Sequence, residues 1–219
     1  MNEVAGLSVK TIGIRSFYAL LGVFILGLGA ALLRISSVGL DPFTAANIGV
    51  GGKLGLSLGV YQLSLNALIL VLVFLFGRKY IGIGTVINMV LTGFFIDFFT
   101  WLFTSVLHVP ITSVSRIILL IFGVLIFTFG ASFYMSAKLG NAPYDAIAPI
   151  LVDRFGVHYR IIRIIQDVLF MLIAFLFGGP VGLATIINAF FTGPLITFWD
   201  EKVSQPLIEK SVKKLSDEN

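Results

Sequence analysis

Apolar residues run along this chain in six long stretches: Phe17–Leu33, Leu58–Phe76, Gly82–Phe103, Ile117–Ser136, Ile161–Phe177 and Val181–Trp199. Each comes close to the ~20 residues a helix needs to cross the hydrocarbon of a bilayer. In that medium every backbone polar group must be satisfied within the segment, which favours helices. The pattern therefore predicts an all-α bundle of six transmembrane helices. Two intervening stretches are too polar and too short to cross. Residues 40–57 contain Asp41, Asn47 and Lys53, and residues 141–160 contain Asp145, Asp153, Arg154, His158 and Arg160. Apolar positions within them, such as Ile147, Ile150, Leu151 and Phe155, predict short helices lying in the interface or dipping into the protein. Lys10 and Arg15 precede the first run as they would in a signal peptide. That run is long and lacks a small-x-small cleavage site, so it is read as a retained helix.

The pattern also repeats. At an offset of 101, Arg15, Gly22, Gly29, Ala30, Gly39, Pro42, Ala45 and Gly55 match Arg116, Gly123, Gly130, Ala131, Gly140, Pro143, Ala146 and Gly156. Phe74-Leu75-Phe76-Gly77 matches Phe175-Leu176-Phe177-Gly178. The offset then falls to 100, and Gly82, Thr85, Ile87, Asn88, Thr92 and Gly93 match Gly182, Thr185, Ile187, Asn188, Thr192 and Gly193. Each copy holds three predicted spans and one non-spanning segment. Because three is odd, the second copy enters the membrane from the opposite side, which makes an inverted-topology repeat. The chain divides into an N-terminal cytoplasmic segment (1–14), repeat one (15–104), a linker (105–115), repeat two (116–199) and a charged cytoplasmic tail (200–219).

Charge fixes the orientation. With the N-terminus inside, twelve of the 15 Lys and Arg residues fall on the inner side. Only Arg34, Lys53 and Arg116 fall outside, so both termini are expected in the cytoplasm. Composition agrees: 58% of residues are hydrophobic and 12% charged, about half the charge of a soluble domain. The net charge of +4 then records topology rather than a nucleic-acid partner. The absence of Cys removes thiol and disulfide chemistry. His108 and His158 stand apart near loops with no metal-ligand spacing. No phosphate loop or catalytic constellation is visible, so neither an enzyme nor a cofactor is expected.

Polar residues inside the spans are the candidate chemistry, since an amide or acid in hydrocarbon must find partners. Thr85, Asn88 and Thr92, and their counterparts Thr185, Asn188 and Thr192, fall at i, i+3 and i+7 on one helix face. They either line a central site or hydrogen-bond between helices, with Gly93 and Gly193 allowing close approach. In the second helix of each repeat, Asn66 is equivalent to Asp167, with Gln62 and Gln166 nearby. Asp167 sits about 9 Å from the inner end of its helix at 1.5 Å per residue. Matching depths suggest two facing sets, Asp167 with Asn88 and Asn66 with Asn188. Asp167 either couples transport to an ion or proton or pairs with Arg163 one turn before it. Asp97 either binds a proton or cation or satisfies Arg34 or Arg116, and Arg34 is expected to snorkel. The candidate substrate site is thus Asn66, Asn88, Thr92, Asp167, Asn188 and Thr192, with Asp167 and Asp97 as coupling groups. Pro42 and Pro143 suit the first turns of the short helices, with Asp41 or Asn141 as cap. Such helix starts aimed at a cavity would suit an anionic group.

The stretch Gly39-Leu40-Asp41-Pro42-Phe43, then Gly55-Leu56-Ser57-Leu58-Gly59, Gly82-Ile83-Gly84-Thr85-Val86-Ile87-Asn88 and Gly93-Phe94-Phe95-Ile96-Asp97, resembles the YczE/YyaS/YitT group of bacterial integral membrane proteins, most closely the YczE type. The likeness runs from about Arg15 to Trp199. Phe43 stands where that group favours Trp, and Thr44 where it favours an acid, which Asp145 keeps in repeat two. The resemblance implies a bacterial inner-membrane location and a transport role, without a substrate. The leading expectation is a small-molecule carrier or exporter working by alternating access. The alternatives are a binding subunit of a multi-component importer and a non-transporting scaffold. The expected partners are lipid, an unidentified small molecule and, through glycine-rich faces such as Gly22–Gly29, a second copy of the chain.

Overall fold

The structure is a computed structural model. It describes residues 8–217; the start of the predicted N-terminal segment, residues 1–7, lies outside the described residues. The fold is all-helical, with no strand among the described residues. Its elements are α1 (Val9–Ser36), α2 (Pro42–Lys53), α3 (Leu58–Phe76), α4 (Ile83–Trp101), α5 (Ser113–Ser136), α6 (Pro143–Phe155), α7 (Tyr159–Phe177), α8 (Leu183–Trp199) and α9 (Gln205–Asp217). π-Helical turns extend α4 through Val106 and join α8 to α9.

Among the described residues, four helices are long and apolar enough to cross a membrane: α1, α3, α4 with its π turn, and α5. α7 departs from them in charge, because Arg160, Arg163 and Asp167 lie within its 19 residues. α8 departs in length, with 17 residues. Both still turn large apolar side chains outward, among them Ile165, Leu169, Leu172 and Leu176 on α7 and Ile186, Phe190 and Phe191 on α8.

α1 and α5 form the central pair. Gly22 and Gly29 of α1 meet Gly123 and Gly130 of α5, and a Cβ built on Gly130 would stand 2.2 Å from the Leu26 backbone nitrogen. One on Gly29 would stand 2.3 Å from the Phe127 nitrogen. Backbones approach this closely only where no side chain intervenes. The Gly22–Gly29 face is therefore covered within the chain, and dimerisation through it loses its basis. Gly93 likewise packs on the Gly59 backbone, whereas Gly193 faces open space. The two repeats are alike in sequence here and unlike in packing.

The short helices are buried at their starts and exposed at their ends, where Gly52, Lys53, Asp153, Arg154 and Phe155 face outward, so they dip partly into the protein. α2 lies against α7 and α3, and α6 against α3 and α7. Pro42 through Asn47 are all buried. The Asp41 carboxylate caps α2 by accepting from the Thr44 N–H at 2.9 Å. Asn141 does not do the same for α6, whose cap is Ala142. Instead the Asn141 N–H donates to the Tyr80 carbonyl at 2.9 Å.

That bond belongs to one of two matching clasps. The Gly84 N–H donates to the Leu139 carbonyl at 2.8 Å. In the other clasp, the Ala184 N–H donates to the Val38 carbonyl at 2.8 Å and the Leu40 N–H to the Pro180 carbonyl at 3.2 Å. Each repeat's connecting loop is thus pinned to the start of the other repeat's last helix. Gly39 and Gly140 make this approach possible, with φ of +100° and +102°, a conformation that penalises any residue with a Cβ.

The described part of the predicted tail, residues 200–217, is helical and packs on the bundle rather than hanging free, and residues 218–219 lie outside the described residues. Ser204 and Ser132 share a hydrogen bond of 2.6 Å, Tyr18 and Ser211 one of 2.8 Å, and Ile208 is buried against the bundle. Thr128, Ser132 and Ser136, at i, i+4 and i+8 on α5, receive this segment through Trp199, Ser204 and Asp200.

The turn between α3 and α4 is tied to the end of α6. Lys79 Nζ lies 2.6 Å from Asp153 Oδ2, and the Tyr80 hydroxyl donates to the same oxygen at 2.7 Å. These two hydrogen bonds, that from Lys79 first, hold the Asp153 carboxyl below the usual carboxylate range. A depressed acid contributes stability above its unfolded pKa and loses it as pH falls through the folded value. The tie is therefore expected to persist at neutral pH and to release in acid below the ordinary carboxylate range. Amide exchange at residues 78–81 should speed up there, and in Asp153→Asn it should already be fast at pH 7.

Candidate functional site

The first turns of α2 and α6 meet inside the bundle. Phe43 and Tyr144, equivalent positions in the two repeats, stack with ring centroids 4.1 Å apart and planes 20° from parallel. Phe170 of α7 sets its edge against both, at 5.3 and 5.0 Å. The two short helices therefore converge on an aromatic pile.

Beside the pile lies a charged cluster built around Arg163 of α7. Its Nη1 donates to Asp145 Oδ1 at 2.8 Å, and its Nε lies 3.4 Å from Asp167 Oδ2. The Tyr144 hydroxyl donates to the other Asp167 oxygen at 3.0 Å. Gln166 Nε2 donates to the Tyr144 carbonyl at 2.9 Å. The Arg163 guanidinium carbon is 5.1 Å from the Tyr144 ring centroid, close enough for a cation–π attraction. Asp41, at the start of α2, is within electrostatic reach of both Arg163 and Asp167. Side-chain exposure falls from 43% at Asp145 through 32% at Arg163 to 12% at Asp167, so the cluster is reached past Asp145.

Of the six predicted substrate residues, Asn66, Asn88, Thr92, Asp167 and Asn188 are buried. Thr192 is half-buried and turns its hydroxyl back to the Asn188 carbonyl. The two predicted facing sets do not form. α4 packs on α1 and α3, and α7 on α2, while neither α4 with α7 nor α3 with α8 makes more than marginal contact. α2 and α6 each pack on both α3 and α7, and α2 also touches α8. Asp167 is held by Tyr144 and Arg163, so its predicted pairing with Arg163 forms and its pairing with Asn88 does not. Thr85 and Thr185 serve as helix caps, each accepting from the N–H of Gly82 or Gly182 at 3.0 and 3.1 Å. Several interior polar atoms remain without a protein partner: both amide atoms of Asn47 and Asn188, the carbonyl oxygens of Gln62, Asn66 and Gln166, and the Thr92 hydroxyl.

Asp97 stands apart from this cluster. One carboxylate oxygen accepts from Arg34 Nη1 at 2.7 Å and the other from the Gly59 N–H at 2.7 Å. It joins the end of α1 to the start of α3, where a carboxylate also favours the helix dipole. Arg34 is thus paired rather than snorkelling, and both oxygens of Asp97 are committed to structure.

Sequence reasoning put Gln166 near Asp167 but overlooked Tyr144, which contacts both. A usable signal was present: an aromatic at 43 and at 144, one in each repeat beside the first-turn proline.

Residues 13–201 match the model of a family of unknown function, DUF6198. The chain belongs to this family. Among curated proteins, an uncharacterised membrane protein of Bacillus subtilis, YczE, is 31% identical over 178 residues, covering 81% of each chain. An uncharacterised protein of Haemophilus influenzae is 28% identical over 190 residues, 87% of this chain and 83% of its own. The B. subtilis protein YyaS is 27% identical over 197 residues, 90% and 94% of the two chains. No solved structure matches. As a DUF6198 member with four helices suited to crossing a bilayer, the chain is a membrane protein related to YczE and YyaS. The matched region holds both short helices and the whole Arg163 cluster.

Proposed function

We propose that this protein is a small-molecule carrier of the bacterial inner membrane. In this reading it has six spans in two inverted repeats, with both termini in the cytoplasm. α7 and α8 complete the six, and their outward apolar side chains support that assignment. The observation that carries the proposal is the convergence of equivalent elements: Phe43 stacks on Tyr144, and the two loop clasps repeat bond for bond. A two-fold relation in the membrane plane provides two similar conformations open to opposite sides, the basis of alternating access. The substrate site lies where the short helices meet, with Asp167 as coupling group. No covalent chemistry is required of the chain.

The test is reconstitution in liposomes with a proton gradient and a panel of small solutes. The wild-type protein is expected to accelerate the flux of at least one solute, and Asp167→Asn to lower that flux at least tenfold. Unchanged flux in Asp167→Asn would remove Asp167 from the mechanism. A properly folded wild-type protein that moves nothing, including cations, anions and neutral solutes, would count against the carrier.

A further inference from the structure

We propose that the place held by the Arg163 guanidinium is a seat for an organic cation, bearing a guanidinium or amine, which the protein takes up in exchange for its own arginine. This rests on the carrier reading of the same site and names its substrate class.

The walls of the seat are acidic and aromatic. Asp145 and Asp167 hold the guanidinium from two sides, at 2.8 and 3.4 Å, and the Tyr144 ring lies beneath it, backed by Phe43. Carboxylates beside an aromatic face select organic cations over other solutes. Asp41 adds a third acid within electrostatic reach, so one positive group sits among three carboxyl groups. The converging helix starts would ordinarily favour an anion. Here Asp41 caps one and Asp145 lies in the first turn of the other, so each start already carries its own negative charge. The expectation of an anionic ligand gives way on that ground.

A separate observation points to a ligand that brings N–H donors. Gln166 is only 6% exposed, and its amide nitrogen is fixed on the Tyr144 carbonyl. That places its carboxamide at the cluster, yet its buried Oε1 has no partner. Asp41 Oδ2 is a second buried oxygen without one. Both are acceptors, and a buried acceptor without a donor is costly. A guanidinium or ammonium brings several donors and no acceptor. The exposure gradient lets an incoming cation meet Asp145 first. In repeat one the corresponding positions are Thr44, Gln62 and Asn66, so the charged seat exists in one half only.

The experiment uses the full chain, purified in detergent, titrated calorimetrically at constant ionic strength with guanidinium chloride or benzylamine hydrochloride. Sodium benzoate is the anionic control. Arg163→Gln vacates the seat and is expected to bind guanidinium at least tenfold more tightly than the wild type. Adding Asp145→Asn and Asp167→Asn to it is expected to abolish binding, and benzoate should bind to none of these proteins. Equal or weaker guanidinium binding by Arg163→Gln, or benzoate binding in its place, overturns the proposal. Should Arg163→Gln not fold, the wild type decides: its benzylamine binding must fall at least tenfold in Asp145→Asn, and retained binding overturns the seat. Binding is read without flux, so the two proposals fail separately. Tight guanidinium binding with no flux of any solute sinks the carrier and leaves the seat. Flux of another solute with no cation binding sinks the seat alone.

Discussion

Replacing Gly130 by leucine is expected to cost this protein its fold. A first side-chain carbon at that position would lie 2.2 Å from the Leu26 nitrogen and 2.7 Å from the Gly22 carbonyl oxygen. Both are backbone atoms in a continuous helix, so neither can swing aside. α1 and α5 would have to separate along their length, opening contacts that involve Gly22, Gly29, Gly123 and Leu33 together. Ordinary overpacking costs about 1–3 kcal/mol; here the strain falls on the pair that organises the bundle, so the upper end or beyond is expected. The measurement is the fraction of monodisperse protein recovered in detergent and its melting midpoint. Gly193→Ala is the matched control. Nothing lies within 4 Å of its added carbon, and alanine favours helix by about 1 kcal/mol over glycine. It is expected to melt at or above the wild-type midpoint. A Gly130→Leu protein that melts like wild type would refute the proposed close crossing.

The second large effect concerns charge. Arg163→Gln leaves Asp167 with the Tyr144 hydroxyl but without its cation. Removing one partner of a buried pair costs about 3–5 kcal/mol. Arg163 is 32% exposed and Asp145 43%, so solvent screening reduces the expected loss to about 1–3 kcal/mol. Adding Asp167→Asn should recover most of it. The double variant reproduces the Gln62 and Asn66 pair that α3 already carries one repeat earlier, so the fold has a precedent for it. The expected result is a dissociation of two readouts: thermal stability returns towards wild type, while the flux assigned to Asp167 stays lost. A double variant less stable than either single variant would show that the charges hold the bundle together in a way the neutral repeat cannot.

The membrane character, helix positions and duplication were legible in the sequence because each is a pattern over many residues. α3 begins and ends where the apolar run Leu58–Phe76 does, and the repeat offset predicted which residues would be equivalent. What the sequence hid was partner choice. Helix depth put Asn88 level with Asp167, but depth says nothing about which helices are neighbours. In the fold α7 takes the short helices α2 and α6 as neighbours, while α4 packs on α1 and α3. Asp97 and Asp167 looked alike as intramembrane acids. Only folding separates Asp97, saturated by Arg34 and Gly59, from Asp167, which shares its arginine with Asp145. Gly93 and Gly193 match in the alignment of repeats but only Gly93 meets a backbone. Sequence symmetry thus matched the paired clasps and the Phe43–Tyr144 stack but reported other contacts only in part.

The reciprocal clasps bear on how the molecule is made. The Val38 carbonyl receives its hydrogen bond from Ala184, a residue synthesised roughly 145 positions later. Contacts of such long range form late, after the cost of closing the intervening chain has been met. During translation the first half waits in the bilayer with its loop unlatched. The clasp between Gly84 and Leu139 needs the chain only as far as Asn141, whereas the one between Val38 and Ala184 must await the last repeat helix, so the two are expected to shut in order and the later one to commit the structure.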